Sequence, residues 1–181
     1  MVKSVLVMLA EGFEEIEAIT PIDLLRRSGA NVTVASVGDE LDVVGSHDLV
    51  VRADVLIADC TDNYDCVLCP GGGLGSKNLA ASFDVLQACI KTAQHGVVAA
   101  ICAAPAVVLG KTGLLTNHRV TGYPGSEKEC EGLVLENEKV ITDGYLITAQ
   151  AAGSAMEFAL AIIARLFDER TAKKIAEQVV F

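Results

Sequence analysis

Short apolar runs of strand length alternate along the chain with amphipathic stretches of helix length, and this alternation restricts the possible folds more than any other feature. The first cycle is a strand over 2–9, a helix over 14–29 that begins with acids and ends with two arginines, and a strand over 31–37. Such alternation is typical of a parallel sheet covered by helices on both faces. The fold class is therefore α/β, a three-layer sandwich with a mostly parallel sheet.

The remaining elements follow from the same patterns. Segment 41–55 predicts a small antiparallel excursion, because short apolar runs alternate there with turn residues. Further strands are predicted at 65–70, 96–101, 118–123 and in a hairpin over 133–142 that turns at 136–139. Further helices are predicted at 82–96, from residue 103 onward, at 154–167 and at 168–180.

Composition limits both the organisation and the partners. The 181 residues are 51% hydrophobic and contain no low-complexity tract, so a single domain over 1–181 is expected. The net charge of −10 argues against nucleic acid or an anionic membrane as a general partner, since both attract a positive field. The apolar run over 97–109 contains Pro105 and is shorter than the roughly 20 residues that span a bilayer. A soluble protein that binds small molecules or proteins is expected.

Six cysteines without an export signal suggest a reducing compartment, and we expect a cytoplasmic location. Cys66 and Cys69 have the spacing of a zinc or redox pair, but they lie in a predicted strand, where residues three apart point to opposite faces. No second cluster supplies further ligands, so core packing is the preferred interpretation and no metal is expected. The glycine run at 71–73 lacks the lysine and hydroxyl residue of a phosphate-binding loop. No cofactor is expected.

Cys102 lies where the apolar stretch "AAICAAPAVV" turns from a predicted strand into a helix. It either packs in the core as a small hydrophobe or serves as a nucleophile beside the free NH groups of the new helix. The helix dipole and these NH groups predict a Cys102 pKa near or below 7. The NH groups of Gly72 and Ala103 would form an oxyanion hole, and an ordinary strand-to-helix turn is the alternative. Loops after the first, central and fourth strands should meet at one crevice.

Three acids at the start of the first helix, Glu14, Glu15 and Glu17, complement its dipole. Glu17 sits one turn in and can face the sheet edge, where burial and a neighbouring thiolate would keep its carboxyl group protonated. It would then serve as a general acid or base, whereas substituting Glu14 or Glu15 should cost only a few tenths of a kcal/mol. None of the three histidines follows the carboxyl end of a predicted strand, which argues against a Cys-His peptidase or glutamine amidotransferase.

Several segments, in order, resemble the ThiJ/PfpI superfamily and its DJ-one branch, named for a protein linked to parkinsonism: "EGFEEIEAITPIDLLRRSG", "VLCPGGGLGSKNL", "AAICAAP", "VTGYP" and "EFALAII". The resemblance covers nearly the whole chain. It implies a flavodoxin-like sandwich, a homodimer, and a reactive cysteine at a strained elbow paired with a protonated glutamate. By position these are Cys102 and Glu17, with oxyanion NH groups at Gly72 and Ala103.

The implied activity is cofactor-independent conversion of methylglyoxal or glyoxal to lactate or glycolate, known as glyoxalase III. Repair of glycated proteins, a deglycase activity, is also attributed to the family. The alternative function is an oxidative-stress sensor and redox-regulated chaperone that acts through oxidation of the same cysteine.

The sequence departs from the family pattern around this site. Ala103 stands where the peptidase-like branch has histidine, so proteolysis is not expected. Tyr123 replaces a histidine of some relatives, His47 replaces an anion-binding arginine, and "AQAAGS" around Gln150 replaces Arg-Gly-Pro-Gly-Thr. With Gly71, these three residues are expected to line the pocket.

Overall fold

The structure is a computed structural model and describes residues 2–61 and 63–181. The strands are β1 (Ser4–Leu9), β2 (Asn31–Ser36), β3 (Asp42–Val44), β4 (Val50–Arg52), β5 (Val55–Leu56), β6 (Cys66–Cys69), β7 (Val97–Ile101), β8 (Val140–Asp143) and β9 (Leu146–Ala149). The α-helices are α1 (Glu15–Arg27), α2 (Gly73–Ala81), α3 (Phe83–Thr92), α4 (Ala104–Val107), α5 (Ala155–Leu166) and α6 (Glu169–Gln178).

Within the described residues, seven strands form the central sheet in the order β5-β2-β1-β6-β7-β9-β8. All neighbouring pairs are parallel except β8 with β9. Strands β3 and β4 form a separate antiparallel ribbon, as the turn-rich sequence at 41–55 predicts. The mostly parallel α/β sandwich expected from the sequence is confirmed.

The sheet separates two apolar clusters. One cluster packs α1, α5 and α6 against one face, and the other packs α2, α3 and α4 against the opposite face. Because successive strand residues point to opposite faces, Cys66 belongs to the first cluster and Cys69 to the second. Cys69 packs against Cys89 of α3, with 3.8 Å between the two sulfur atoms, and both thiols are buried. The interpretation of Cys66 and Cys69 as core residues on opposite faces of the sheet is therefore confirmed.

The strand order reverses between β1 and β6. From β1 the chain moves outward through β2 to β5, and from β6 it moves the opposite way through β7 to β9. Binding sites of open α/β sheets form at the carboxyl ends of strands beside such a reversal. The segments that follow β1, β6 and β7 therefore surround one crevice.

The second half of the sheet differs from the sequence prediction. Segment 118–123 contains no strand, because Thr121 is held by side-chain bonds instead: its NH donates to Thr148 Oγ1 (3.0 Å) and its hydroxyl to the Glu138 carbonyl (2.6 Å). The hairpin is formed by β8 and β9, further along the chain than predicted. Its turn places Gly144 at φ 63°, a conformation that favours glycine in tight hairpins.

Two helices also differ from expectation. The helix predicted from residue 103 is the four-residue α4, followed by a 3₁₀ turn at Leu109–Lys111. Helix α2 was not assigned from the sequence, because the glycines at its start have low helix propensity. Across the described ranges, every helix is too short or too polar to cross a membrane.

Candidate active site

Cys102 lies at the carboxyl end of β7 in a strained backbone conformation. Its φ of 65° is left-handed, which is uncommon for a residue other than glycine and costs on the order of 1–3 kcal/mol. The surrounding chain fixes this conformation from both sides: the Cys102 NH donates to the Ala149 carbonyl (3.0 Å), and the Tyr123 NH donates to the Cys102 carbonyl (2.7 Å). The predicted strained elbow is therefore present.

Glu17 projects from the first turn of α1 into the protein and is only 1% exposed. Its Oε2 accepts a hydrogen bond from the Gly71 NH (2.9 Å), and the Ala152 NH also bonds this carboxyl group. The carboxyl group also interacts directly with the Cys102 side chain. The two residues selected from the sequence for chemistry thus form one pair, although they are far apart along the chain.

The loop between β6 and α2 approaches this pair as bare backbone. A Cβ atom at Gly71 would overlap the Glu17 carboxylate and the Cys102 Cβ, and it would lie 3.0 Å from the Ile101 carbonyl oxygen. Gly72 has φ 93°, and a Cβ there would overlap the Gly12 carbonyl oxygen. These positions require glycine because no side chain fits between the loop and its neighbours.

Two backbone NH groups converge on the Cys102 sulfur. They belong to Gly72 and Ala103, the residues expected to supply the oxyanion hole, and both lower the pKa of the Cys102 thiol. The contribution of a helix dipole is smaller than the sequence suggested, because α4 has a single turn. The local NH groups therefore act directly rather than through a long helix.

Glu17 and Cys102 share their protons. Burial raises the pKa of Glu17 to about 7, opposed by hydrogen bonds from Cys102 and the backbone. Burial and the negative charge of an ionised Glu17 raise the pKa of Cys102 to about 12. The expected Cys102 pKa near or below 7 is therefore wrong for a thiol beside an ionised carboxylate. Because two adjacent negative charges are disfavoured, the pair retains one proton above neutral pH, and the thiolate exists when Glu17 holds that proton.

The acidic neighbours of Glu17 do more than complement the helix dipole. Glu14 is the N-cap of α1, and its Oε2 accepts a hydrogen bond from the Glu17 NH (2.8 Å). Glu15 is only 6% exposed and accepts bonds from the His47 NH (2.6 Å), the His47 ring (2.8 Å) and the Ser46 hydroxyl (3.1 Å). Burial would raise the pKa of Glu15, but these bonds outweigh it and lower the pKa to about 2. The expectation that both are merely dipole partners is wrong.

The expected pocket residues divide into two groups. Gly71 and Tyr123 contact the pair through backbone bonds, and Tyr123 as a whole residue is 53% exposed. His47 is bound to Glu15 and its side chain is 72% exposed. Gln150 follows β9 and donates to Asn137 Oδ1 (3.1 Å), in a groove of ≈ 480 Å³ that adjoins Gly122. An anion-binding role for His47 and a pocket role for Gln150 stay predictions.

One group of side chains has the composition of a metal site. Glu14, Glu15 and His47 each bring a potential ligand atom within 4.8 Å of the others. The two carboxylates already accept hydrogen bonds from the Glu17 NH and from His47. These bonds explain why the three residues lie together.

Two functional groups were missed from the sequence. The Ala152 NH lies in the segment "AQAAGS", which differs from the family pattern. An alanine there gives no sign that its backbone NH contributes to a site. Glu14 carried a usable signal, because a polar residue just before a helix is a candidate N-cap. His118 lies as expected, because it packs on Tyr145 and faces Asp143 at the end of β9 opposite the Ala149 carbonyl that binds Cys102.

A cysteine on a left-handed elbow at a parallel strand end, beside a buried carboxyl group and two converging NH groups, defines a class of nucleophilic site on an α/β sandwich. Residues 3–165 match the model of the DJ-1/PfpI family, and the chain belongs to this family. The flavodoxin-like fold is that of its DJ-1 members.

Individual relatives agree with this assignment. Protein DJ-1 homolog B of Arabidopsis thaliana is 38% identical over 165 residues, which is 90% of this chain but 38% of that protein. The chain spans less than half the length of the two Arabidopsis relatives. The structure of oxidized Toxoplasma gondii DJ-1 superposes with a TM-score of 0.93 at 39% identity and 99% coverage of both chains. The Schizosaccharomyces pombe protein named glutathione-independent glyoxalase DJ-1 is 30% identical over 175 residues, 90% of each chain.

Proposed function

We propose that this protein is a glutathione-independent glyoxalase that converts methylglyoxal to lactate and glyoxal to glycolate. The observation that carries the proposal is the direct pairing of buried Glu17 with Cys102 on its strained elbow. A carboxyl group with a pKa near neutral both gives and takes protons at physiological pH. The name of the S. pombe relative supports the same chemistry.

The first step is addition of the Cys102 thiolate to the aldehyde carbon. A carbon–sulfur bond forms, the carbonyl π electrons move to oxygen, and the resulting hemithioacetal oxygen takes up a proton. The Gly72 and Ala103 NH groups already point at the sulfur, so the hemithioacetal oxygen, which is bonded to the carbon attached to that sulfur, lies within their reach. Glu17 is the nearest proton donor for this oxygen.

The second stage is an internal redox shift. Ionised Glu17 removes the hydrogen of the former aldehyde carbon as a proton, the electron pair moves through an enediol, and the proton is delivered to the former ketone carbon. The first carbon is oxidised to a thioester and the second is reduced to an alcohol. Water then cleaves the thioester, which releases lactate and restores the Cys102 thiol. No external oxidant or reductant is consumed.

The test measures lactate formed from methylglyoxal without glutathione. Wild type should turn over, and Cys102→Ser should lose all measurable activity. Glu17→Gln retains a donor of similar size but carries no proton between atoms, so Cys102 should still react with iodoacetamide while turnover collapses. Cys130→Ser, at a partly exposed cysteine outside the site, is the matched control and should behave as wild type. Unchanged turnover in Cys102→Ser or Glu17→Gln contradicts the proposal.

We also propose that the protein forms a homodimer. Helix α1 exposes Ile16 and Ile19, and the β3–β4 ribbon exposes Leu49 and Val50, all of them large apolar side chains. The ribbon and the segment before α1 are joined by hydrogen bonds from the Gly12 NH to Val44 and from the Ser46 NH to Phe13. Burying such side chains against a second copy would remove apolar surface from water. Light scattering at micromolar concentration should give twice the chain mass; a monomer mass contradicts the proposal.

A second function uses the same sulfur. The NH groups of Gly72 and Ala103 and a protonated Glu17 are donors suited to the oxygens of a cysteine sulfinate, which two equivalents of peroxide would form with release of water. This arrangement supports a redox-sensing role, and the T. gondii relative is described as oxidized. Limited peroxide should add two oxygen atoms to Cys102, and Glu17→Leu should reduce that product. Oxidation of Cys102 only to the sulfonate argues against this role.

A further inference from the structure

Glu14, Glu17 and Gly71 are joined by a closed ring of three hydrogen bonds. The Glu14 NH donates to the Gly71 carbonyl (3.0 Å), the Gly71 NH donates to Glu17 Oε2 (2.9 Å), and the Glu17 NH donates to Glu14 Oε2 (2.8 Å). The ring ties the start of α1 to the glycine loop whose next residue, Gly72, bonds the Cys102 sulfur. A change at Glu14 therefore affects both partners of the pair.

Glutamate is an unusual residue for this task. Helix N-caps are usually Ser, Thr, Asp or Asn, whose short side chains reach the helix NH groups directly. Glutamate makes the same bond here with a longer side chain and adds a full negative charge beside Glu17. The capping bond alone does not require that charge.

We propose that Glu14 is a positioning residue for the Glu17–Cys102 pair, holding Glu17 in place through the ring and favouring the protonated form of Glu17 through its negative charge. The proposal rests on the proposed function, since that function needs Cys102 as thiolate and Glu17 as the protonated partner.

The surroundings of Glu17 determine the sign of this effect. The groups that face its carboxyl group are the Cys102 thiol and the NH groups of Gly71 and Ala152 from neighbouring elements, and the Glu14 carboxylate from its own. Each of the first three favours the ionised carboxylate by hydrogen bonding, whereas Glu14 raises the pKa of Glu17. Removing the Glu14 charge should let the pair lose its first proton at lower pH. It should also shift the remaining proton toward sulfur. The Glu17 carboxylate lies closer to Glu14 than the Cys102 thiolate does, so loss of the Glu14 charge stabilises the carboxylate more than the thiolate.

The experiment measures the rate of Cys102 alkylation by iodoacetamide between pH 4 and 10. The key comparison is Glu14→Asp with Glu14→Asn, because both side chains cap helices well and only Asp carries charge. The alkylation rate should rise with pH along an acid limb and reach a plateau near neutral pH. Compared with Glu14→Asp, Glu14→Asn should shift this acid limb to lower pH by about half a unit or more and should lower the plateau rate about threefold. Glu14→Gln, the closest isostere, should behave like Glu14→Asn.

The control is Glu11→Gln, which removes an exposed acid from the same loop outside the ring and should leave the profile unchanged. If Glu14→Asn and Glu14→Asp give the same acid limb, the charge has no role and the proposal is wrong. A lower plateau with an unmoved limb in both variants also overturns it, because that result describes capping alone. Alkylation needs no aldehyde, so a wild type inactive on methylglyoxal would refute the proposed function while this comparison still decides the role of Glu14.

Discussion

Gly71 and Gly73 are separated by one residue, and the structure predicts opposite outcomes for alanine at the two positions. At Gly71 the added Cβ would overlap the Glu17 carboxylate and the Cys102 Cβ, with the Ile101 carbonyl oxygen 3.0 Å away. At Gly73, the first residue of α2, no atom of the residues that the structure describes lies within 4 Å of the added atom. Neither glycine has a positive φ, so the difference is one of space rather than of backbone torsion.

The magnitudes follow from this contrast. Overpacking of this kind typically costs about 1–3 kcal/mol, so Gly71→Ala should lose about 2 kcal/mol. For a chain of this size that corresponds to a fall of roughly 4–8 °C in Tm. Displacing Glu17 or Cys102 by even ~1 Å should reduce methylglyoxal turnover by about 100-fold. Gly73→Ala removes backbone freedom from the unfolded chain and should be neutral or stabilising by up to ~0.5 kcal/mol.

The assay pairs thermal unfolding, followed by circular dichroism, with lactate formation for wild type and both variants. A third readout, the rate of Cys102 alkylation, shows whether the sulfur itself has been displaced. The reasoning is refuted if Gly71→Ala keeps both the Tm and the turnover of Gly73→Ala. Equal damage in the two variants would refute it as well, because Gly73 has free space around it.

Further predictions concern pH and reactivity. The pKa of Glu15 in the folded protein, about 2, lies below the ordinary 4.5. Ionised Glu15 therefore stabilises the folded state above pH 4.5, and this stabilisation is lost as pH falls through 2. Urea unfolding should therefore show Glu15→Gln less stable at pH 7, by at most about 3 kcal/mol, with the difference shrinking in acid. The pKa of Glu17 is raised to about 7, so its burial costs stability increasingly as pH rises from 4.5 through 7, and Glu17→Gln should gain relative stability between pH 5 and 8. Peptide mapping of the native protein should find Cys102 alkylated before Cys60 and Cys130, because the Gly72 and Ala103 NH groups stabilise its thiolate whenever Glu17 holds the shared proton; the opposite order would refute the site. Peptidase and glutaminase assays should give no turnover that depends on Cys102, because His47 and His118 are engaged elsewhere.

Features that repeat along the chain could be predicted from the sequence. The parallel strands β1, β2, β6 and β7 and the two C-terminal helices follow from apolar periodicity, which depends only on which residues must be buried, whereas the parallel edge strand β5 was expected to belong to an antiparallel excursion. The hairpin was misplaced because Glu136–Lys139 and Asp143–Gly144 both have turn composition, and only the pairing of β9 with β7 selects the second. The strand expected at 118–123 fails for a similar reason, since Thr121 bonds to side-chain and loop groups that no local pattern reveals.

Within the site, residue types were more predictable than proton positions. Cys102 and Glu17 were identifiable because a thiol at a strand end and an acid one turn into a helix are chemically distinctive. The pKa of Cys102 was not predictable, since it depends on burial and on a carboxyl group supplied by a distant segment. The bonds of Glu15 to His47 were hidden for the same reason: they join α1 to a ribbon whose docking the sequence does not specify.

The reversal of strand order between β1 and β6 has a consequence for how activity is acquired. Glu17, Gly72, Cys102 and Ala152 come from four segments spread across most of the chain, and they meet only after β1, β6, β7 and β9 have paired in register. A fragment that lacks β1, β6, β7 or β9 therefore lacks part of the site. Long-range parallel pairing is also slow, because each contact must first close a large loop. Recovery of aldehyde turnover during refolding should therefore report completion of the whole sheet, lagging behind recovery of helical signal.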